Sequence, residues 1–342
     1  MPTTVKDIAK QLNLSTSTVC YALNGGPRTV TEEVRRRVLE KAKELDYRPN
    51  RLARSLVKGS THTIGVVPPS TETNVFLSPF VQLAWNAIVN EAENSGQDIL
   101  LFAAKNLNSP NEPGLGLLDG RIDGVIFIAP MLNAGPIMSV TERGLPFASI
   151  CSSPDAPGIH MTADNAQGIR QAVGHLVELG HSRIAHVAGP PDSPDGRIRI
   201  EAFKDSMREF GLPIPAWYIE QNSFTRVFGY EAALRLLRLK NRPTAVVAAN
   251  DEVATGVCIA AREIGLDVPG DLSVVGFDDT EMASLFFPAL TTVQQPIGEM
   301  AAAALRVVTR LAARKNGVKS VCFPTKLVVR ASTARAKQGA LR

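Results

Sequence analysis

Aromatic residues are scarce: Phe, Trp and Tyr make up 6% of the 342 residues, with 2 Trp and 4 Tyr. Cysteine is scarcer relative to length. Cys20, Cys151, Cys258 and Cys322 stand far apart and form no CxxC. Such spacing argues against a disulfide framework or a zinc ribbon and sets reduced thiols as the expectation. No apolar run reaches the roughly 20 residues that a membrane span needs. Walker A, HExxH and GxSxG patterns are missing, which removes the P-loop, zinc-protease and serine-hydrolase readings. No acid–base pair stands out, so no catalysis, cofactor or metal is expected. Gly114-Leu-Gly116-Leu-Leu-Asp-Gly120 resembles a dinucleotide fingerprint, but it has one residue too many and lies in a polar loop. It reads as a turn. His175, His181 and His186 are close in sequence but lack a chelating pair on one helix face, so they read as core or surface histidines. The polar, helix-patterned start is unlike a secretion leader, and a cytoplasmic protein is expected.

What the chain has is ordinary in bulk and uneven in placement. It is 44% apolar and 20% charged, as a globular protein should be. Its length suits two or three domains. The net charge of +4 hides an asymmetry: residues 1–60 carry 12 Lys/Arg against 6 Asp/Glu, and the remainder carries 25 against 27. A small basic head on a near-neutral body points to a polyanion partner at one end.

The head opens with a helical stripe. Val5, Ile8, Ala9 and Leu12 fall at i, i+3, i+4 and i+7. Thr4 can cap the helix, and Asp7 suits its first turn. Asn13-Leu14 interrupts the pattern, and Ser15 caps a second helix over 16–23 that buries Val19, Ala22 and Leu23. Asn24-Gly25-Gly26-Pro27 stops it. Thr16, Ser17 and Tyr21 face outward. This reads as a helix-turn-helix or as a plain helical hairpin. A third helix over 32–45, capped by Thr31, turns Val34, Val38, Ala42 and Leu45 inward. Arg35, Arg36, Arg37, Lys41 and Lys43 lie elsewhere, available to phosphates or simply solvated. After Pro49, residues 50–57 could make two helical turns, too few to be stable alone. Leu56 then suits a wedge between base steps, or it is a stray leucine in a linker.

TVKDIAKQLNLSTSTVCYALNG followed by VTEEVRRRVLEKAKELDYRPNRLARSLVKG resembles the DNA-binding head and hinge of the lac repressor/galactose repressor family of bacterial transcription regulators. The resemblance implies a homodimer on a near-palindromic double-stranded operator, with recognition helices in major grooves and paired hinge helices in the central minor groove. By position it assigns DNA contact to Ser15, Thr16, Ser17 and Tyr21, and minor-groove contact to Asn50, Ala53 and the wedge Leu56. Tyr21 stands where some members carry arginine, and it cannot make the bidentate guanine contact.

From Thr63 the texture alternates. TIGVV, DILLFAA, GVIFIA and PFASI, then RIAHVAG, TAVVAAN and LSVVGF, are short apolar strands separated by helical stretches at 80–95, 137–143, 166–179, 198–210, 229–239 and 252–264. That pattern predicts parallel sheets covered on both faces. The expected architecture is an all-α helix-turn-helix head (1–48) and hinge (49–60), then an α/β body (61–342) of two doubly wound lobes. Lobe 1 is expected at about 61–162 and 293–322, lobe 2 at about 163–292 and 323–331, with a basic tail at 332–342. Ligands of such sheets bind beyond the strands' carboxyl ends. Asn250-Asp251, Asp278-Asp279, Gly189-Pro190 with Arg197 and Arg199, and Phe224 all fall there. They suit a polyol, with carboxylates and Arg for hydroxyls and an aromatic face for C–H. Equally, Asn250 and Asp278 could merely cap helices.

The body is similar to the family's effector domain, itself similar to periplasmic sugar-binding proteins. HVAGP with RIRIEAF, VVAANDEVATG, SVVGFDDTEMASLFFPALTTVQQP and LVVRAST carry that likeness. It implies an effector pocket of Phe76, Arg199, Phe224, Asn250 and Asp278. Cys151 replaces a frequent aspartate and Pro130 a frequent polar residue, so the effector is expected to be smaller or less polar than a typical free sugar. The tail lacks a leucine heptad, which favours a dimer over a tetramer. The expectation is a repressor whose operator binding answers to a small-molecule effector, a sugar first, with a sugar phosphate or nucleobase corepressor as the alternative. A solute-binding protein and a sugar-converting enzyme are the readings from other classes.

Overall fold

The computed structural model describes residues 3–24, 30–48, 59–69, 77–102, 107, 114–132 and 135–337. Asn50, Ala53, Leu56 and Phe76, and with them the expected hinge helix, lie outside the described residues. The chain divides into two units, Met1–Thr61 and His62–Arg342.

Among its described residues the first unit holds three helices, α1 (Val5–Leu12), α2 (Thr16–Asn24) and α3 (Glu32–Glu44). At the start of α1 the Asp7 carboxylate accepts from the Thr4 backbone N–H at 2.8 Å and from its hydroxyl at 2.7 Å, closing the first turn. Asn13 adopts a left-handed conformation (φ 52°) that ends α1. Ser15 Oγ then accepts from Thr18 N at 3.1 Å and so starts α2. Thr31 does the same for α3, accepting from Val34 N at 3.4 Å. The apolar stripes meet in one core of Ile8, Ala9, Val19, Ala22, Val38 and Ala42, with Val5, Leu12, Leu23, Val34 and Leu45 packed around it half-buried.

The second unit contains two six-stranded sheets. Lobe 1 has β1 (Thr63–Val67), β2 (Asp98–Leu101), β3 (Gly124–Ile128), β4 (Phe147–Ile150), β5 (Ile159–Ala163) and β11 (Val321–Phe323), in the order β11-β5-β4-β3-β1-β2. Lobe 2 has β6 (Ile184–Ala188), β7 (Ile219–Gln221), β8 (Ala245–Ala248), β9 (Ser273–Asp278), β10 (Thr291–Gln294) and β12 (Lys326–Val328), in the order β12-β10-β9-β8-β6-β7. Pairing is parallel throughout, except that β12 runs antiparallel to β10.

Both faces of each sheet are covered, as the continuous apolar strands demand. In lobe 1, α4 (Pro79–Ser95) and α11 (Ile297–Ala312) bury Ile88, Leu305 and Val308 against Ile64, Val66 and Ile126. On the other face, α5 (Gly135–Glu142) packs Ile137 and Val140 against Val125 and Phe127. In lobe 2, α6 (Asn165–Glu178) and α7 (Pro194–Glu209) cover one face through Val173, Leu176, Phe203 and Met207. The opposite face is taken by α8 (Arg226–Leu237) and α9 (Asp251–Glu263). A short α10 (Glu281–Leu285) follows β9. Gly114–Gly120 forms a turn built on the 3-10 segment Leu115–Leu117.

The chain passes between lobes three times: after Ala163, after Gln294 and after Phe323. Each passage comes a residue or two beyond the position expected from sequence, because β5, β10 and β11 run on in their hydrogen-bonded registers to Ala163, Gln294 and Phe323. The first and third passages are tied together, with Asp164 N donating to Phe323 O at 2.8 Å and Thr325 Oγ1 to Asp164 O at 2.9 Å. Residues 332–337 do not hang free as an appended tail. Ser332 Oγ bridges Thr291 N (2.8 Å) and Val274 O (2.6 Å), and Lys337 pairs with Asp271 at 2.6 Å. Among the described residues no helix is long and apolar enough to cross a membrane.

Candidate functional site

In lobe 2 the strands β6, β8 and β9 run parallel and end beside one another, so the residues just past them share one rim. Together with α7 and the loop after β7, they supply Ser193, Asp195, Arg199, Phe224, Asn250 and Asp278 to one wall of a cavity. Lobe 1 supplies the other wall through Pro69, Ser78, Phe80, Ala129 and Met131. Four of the five sequence-assigned effector residues, Arg199, Phe224, Asn250 and Asp278, thus come together around one space; the fifth, Phe76, is among the undescribed residues.

Arg199 is the hub. Its side chain is 2% exposed, and its guanidinium lies 3.7 Å from the centre of the Phe277 ring. Nε donates to Asn165 Oδ1 at 2.7 Å and Nη1 to Ala249 O at 2.5 Å, while Nη2 sits 3.7 Å from Asp195. Asn165 also donates to Asp195 Oδ1 at 3.0 Å, so arginine and carboxylate are held by one amide. A guanidinium held by these partners lines the cavity with little further ordering to lose.

Asp278 ends β9 with a positive φ of 113° and is buried. Gln295 Nε2 donates to its Oδ1 at 2.5 Å. Burial pushes the Asp278 carboxyl well above its ordinary range. Arg199 and the Gln295 bond pull it down, while the charges of Asp251 and Asp195 push it up. Its neighbour Asp279 is spent elsewhere, paired with Arg330 at 2.6 Å. Asp251, at the start of α9, is likewise buried and raised by burial to about 6. Three hydrogen bonds oppose that rise: Thr280 N (2.8 Å), Thr280 Oγ1 (2.9 Å) and Thr292 Oγ1 (2.5 Å). It braces the sheet and does not line the cavity.

Asn250 plays two structural parts at once. Its Oδ1 caps α9 by accepting from Val253 N at 2.8 Å, and its Nδ2 donates to Phe224 O at 3.1 Å. Asn250 thus caps α9, lines the cavity and anchors the loop that carries Phe224. Gly189 completes that anchor. A Cβ there would stand 2.4 Å from the Phe224 ring, so only glycine lets the ring lie flat on the chain.

Sequence reasoning missed Asp195, Ser193 and the lobe 1 wall. Asp195 reads as an ordinary acid in a helix first turn, which it also is. Arg197 is exposed, whereas Arg199, two residues on, is buried at the cavity. Cys151 is buried beyond β4 with φ 57°, and burial together with the Asp195 carboxylate raises its thiol well above the ordinary range. It is a neutral neighbour of the charged cluster. Pro130 stands between Ala129 and Met131, both of which line the apolar wall. Of the three histidines, His186 is buried and its Nδ1–H donates to Val247 O at 2.8 Å, His181 bonds Thr244 and Ser273, and His175 bonds Thr333 at 3.0 Å. No metal-ligating cluster occurs among the described residues.

In the first unit, Thr16 and Ser17 are exposed on α2 and Tyr21 is half-buried. Ser15, assigned to DNA contact, has its hydroxyl engaged with Thr18 N and, at 2.8 Å, with Thr18 Oγ1. On α3, Arg35, Arg36, Arg37 and Lys43 are exposed, while Lys41 pairs with Glu44 at 2.5 Å.

Comparison with known proteins finds the model of bacterial regulatory proteins of the lacI family at residues 4–50, and that of the periplasmic binding protein-like domain at residues 173–333. The chain is 32% identical to catabolite control protein A of Priestia megaterium over 346 residues, which is 97% of this chain and 100% of that protein. It is similar to a lac repressor dimer bound to operator and the anti-inducer ONPF, at TM-score 0.84 and 27% identity, over 98% of this chain and 100% of that one. It is also similar to a complex of the transcriptional regulator CelR with cellobiose, at TM-score 0.74 and 26% identity, over 96% of this chain and 99% of that one.

Proposed function

The chain belongs to the lacI family of bacterial regulatory proteins, and on that premise we propose that it is a dimeric repressor of a near-palindromic operator whose DNA affinity is set by a sugar bound between its lobes. The observation that carries the sugar reading is the cavity itself. A buried guanidinium and two carboxylates, Arg199, Asp195 and Asp278, offer donors and acceptors for several hydroxyls. Phe224 and Phe80 offer apolar faces for the C–H side of a ring. One such cation set against two carboxylates, with Arg197 exposed, favours a neutral polyol over a phosphorylated one.

On the DNA side, Thr16, Ser17 and Tyr21 of α2 read bases, and the exposed arginines of α3 meet phosphates. Ser15 acts by starting the recognition helix. Asn50, Ala53 and Leu56 take the minor-groove part. The effector works by linkage: a sugar that prefers one lobe arrangement shifts the protein toward it, and operator affinity follows. For a sugar the expected sign is induction.

The test has two arms on the full chain. Selection from random duplexes should return a near-palindrome. A thermal-shift screen of sugars, sugar phosphates and purines should then find a ligand that raises Tm by mass action and weakens binding to the selected duplex. No specific duplex at low salt, with or without metabolites, overturns the regulator reading. A purine or sugar phosphate hit, with sugars inert, overturns the effector reading alone.

A further inference from the structure

The cavity between the lobes is unevenly charged. Its charged lining is one guanidinium, Arg199, against two carboxylates, Asp195 and Asp278, and all three are buried. Among the described residues no second cation lines it. Arg197, two residues before Arg199, is exposed, and Arg330 is drawn away to Asp279 at 2.6 Å. A third buried carboxylate, Asp251, adds its charge to the surroundings of Asp278 and is itself held by the neutral side chains of Thr280 and Thr292.

The one guanidinium is also largely committed. Nε bonds Asn165, Nη1 bonds the Ala249 carbonyl, and the flat face rests on Phe277. Asp195 lies 3.7 Å from Nη2, beyond hydrogen-bond reach, in place of the two-pronged pairing that arginine and a carboxylate can form. The amides nearby are spent as well. Asn250 gives its N–H to Phe224 O, and Asn165 gives its own to Asp195 Oδ1 and Ala163 O. Gln295 donates to Asp278 Oδ1, which leaves its buried Oε1 without a hydrogen-bond partner among the described residues. The surplus here is therefore negative charge and acceptors, where a buried charge without a partner is costly. Burial, with the charges of Asp251 and Asp195, raises the Asp278 carboxyl against the pull of Arg199 and Gln295.

We propose that the effector is an amino sugar, a ring polyol whose protonated amine meets the carboxylates of Asp195 and Asp278 while its C–H face lies on Phe224. This rests on the sugar reading of the cavity. The charge count that sets a phosphate at a disadvantage accepts a neutral ring and favours a cation more. An ammonium brings one positive charge and three N–H donors, which is what the lining lacks. Phe224 and Phe80 present aromatic faces to the same space, and such faces attract a cation once water is excluded. The charged and titratable groups around Asp278 are Arg199 and Asp195 of α7, Asp251 of α9 and the Cys151 thiol beyond β4. A proton on Asp278 discharges the surplus in the free protein. The ammonium takes over that part in the complex, and the proton leaves to solvent. N-acetylation removes the charge, so the acetylated sugar is refused.

Isothermal titration calorimetry of the full chain at about pH 7, where such an amine is mostly protonated, reads the preference. The probes are glucose, galactose and mannose, their 2-amino-2-deoxy and 6-amino-6-deoxy derivatives, and the N-acetylated 2-amino sugars. At least one amino sugar should bind about tenfold or more tightly than its parent and its acetylated form. Its binding heat should differ between phosphate and Tris buffers in the sense of proton release. Asp195→Asn and Asp278→Asn each remove one negative charge and should bring the ratio of amino sugar to parent affinity toward parity. Should neither variant bind any probe, the buffer comparison on wild type decides. Parity in wild type, or preference for the neutral parent, overturns this inference and leaves the sugar reading standing. So does a neutral sugar that binds while every amino sugar stays silent. A preference that survives both variants, or binding without proton release, also overturns it, because the amine is then elsewhere. Failure of every sugar and amino sugar to bind defeats the sugar reading, and this inference falls with it.

Discussion

The guanidinium of Arg199 stacks on the ring of Phe277, 3.7 Å from guanidinium carbon to ring centre. Phe277 belongs to the strand that ends in Asp278, so the stack fixes the cation and the carboxylate of the cavity relative to one another. Arg199→Ala leaves Asp195 and Asp278 buried without their cation. A loss of about 3–5 kcal/mol is expected in urea unfolding, together with loss of effector binding. Arg199→Lys keeps the charge but not the fork or the stack, so it should retain part of the stability and little of the binding.

Gly189→Ala places a methyl 2.4 Å from the Phe224 ring. The ring must swing off its seat while the charged cluster stays in place. Effector affinity measured by calorimetry should fall at least about tenfold, with a stability cost of about 1–3 kcal/mol. Unchanged affinity would mean that Phe224 does not cover the ligand.

His186 gives the second unit a pH signature. Burial lowers its pKa to about 4, against the donated bond to Val247 and with the Arg199 charge adding to the fall. Its unfolded value is about 6.5. Between those values the unfolded chain binds the extra proton, so this group's contribution is complete above about pH 6.5 and is lost as pH falls toward 4. The loss amounts to roughly 3 kcal/mol. Asp251 and Asp278, raised by burial, act with the opposite sign as pH rises from their unfolded values. Urea unfolding of wild type and His186→Phe across pH 4 to 8 isolates the histidine: the variant should lack its share of the slope.

In the first unit, Arg35 is exposed on α3, whereas Lys41 is paired with Glu44. Arg35→Ala should weaken all duplexes alike and lower the salt slope of operator binding by about 1, as loss of one phosphate contact requires. Tyr21→Ala should instead relax sequence preference at fixed salt while sparing the slope. A flat response to both would detach α2 and α3 from DNA.

Much of this was legible in the chain, for identifiable reasons. The stripe of Val5, Ile8, Ala9 and Leu12 and the caps Thr4, Ser15 and Thr31 are local signals, and each forms as its spacing dictates. The strands were legible because both faces of each sheet are covered, which makes the runs uninterrupted. The chain positions of Asn250 and Asp278 beyond strands, and of Arg199 a few residues further on, were legible from the strand pattern, while their assignment to an effector came from the family resemblance. Asp195 was not, since nothing local distinguishes a first-turn acid facing solvent from one bonded to Asn165. The apolar wall was not either: Ala129 and Met131 gain their role only when a second lobe faces them. Cys151 and Pro130 did announce a less polar first lobe, which is the character its wall has.

The threefold passage of the chain between lobes has a practical corollary for dissection. A fragment that stops before residue 321 removes β11 from one edge strand position and β12 from another, damaging both sheets with one cut. Neither half of the body corresponds to any contiguous stretch of gene, so deletion mapping from the carboxyl end will report on folding long before it reports on the ligand.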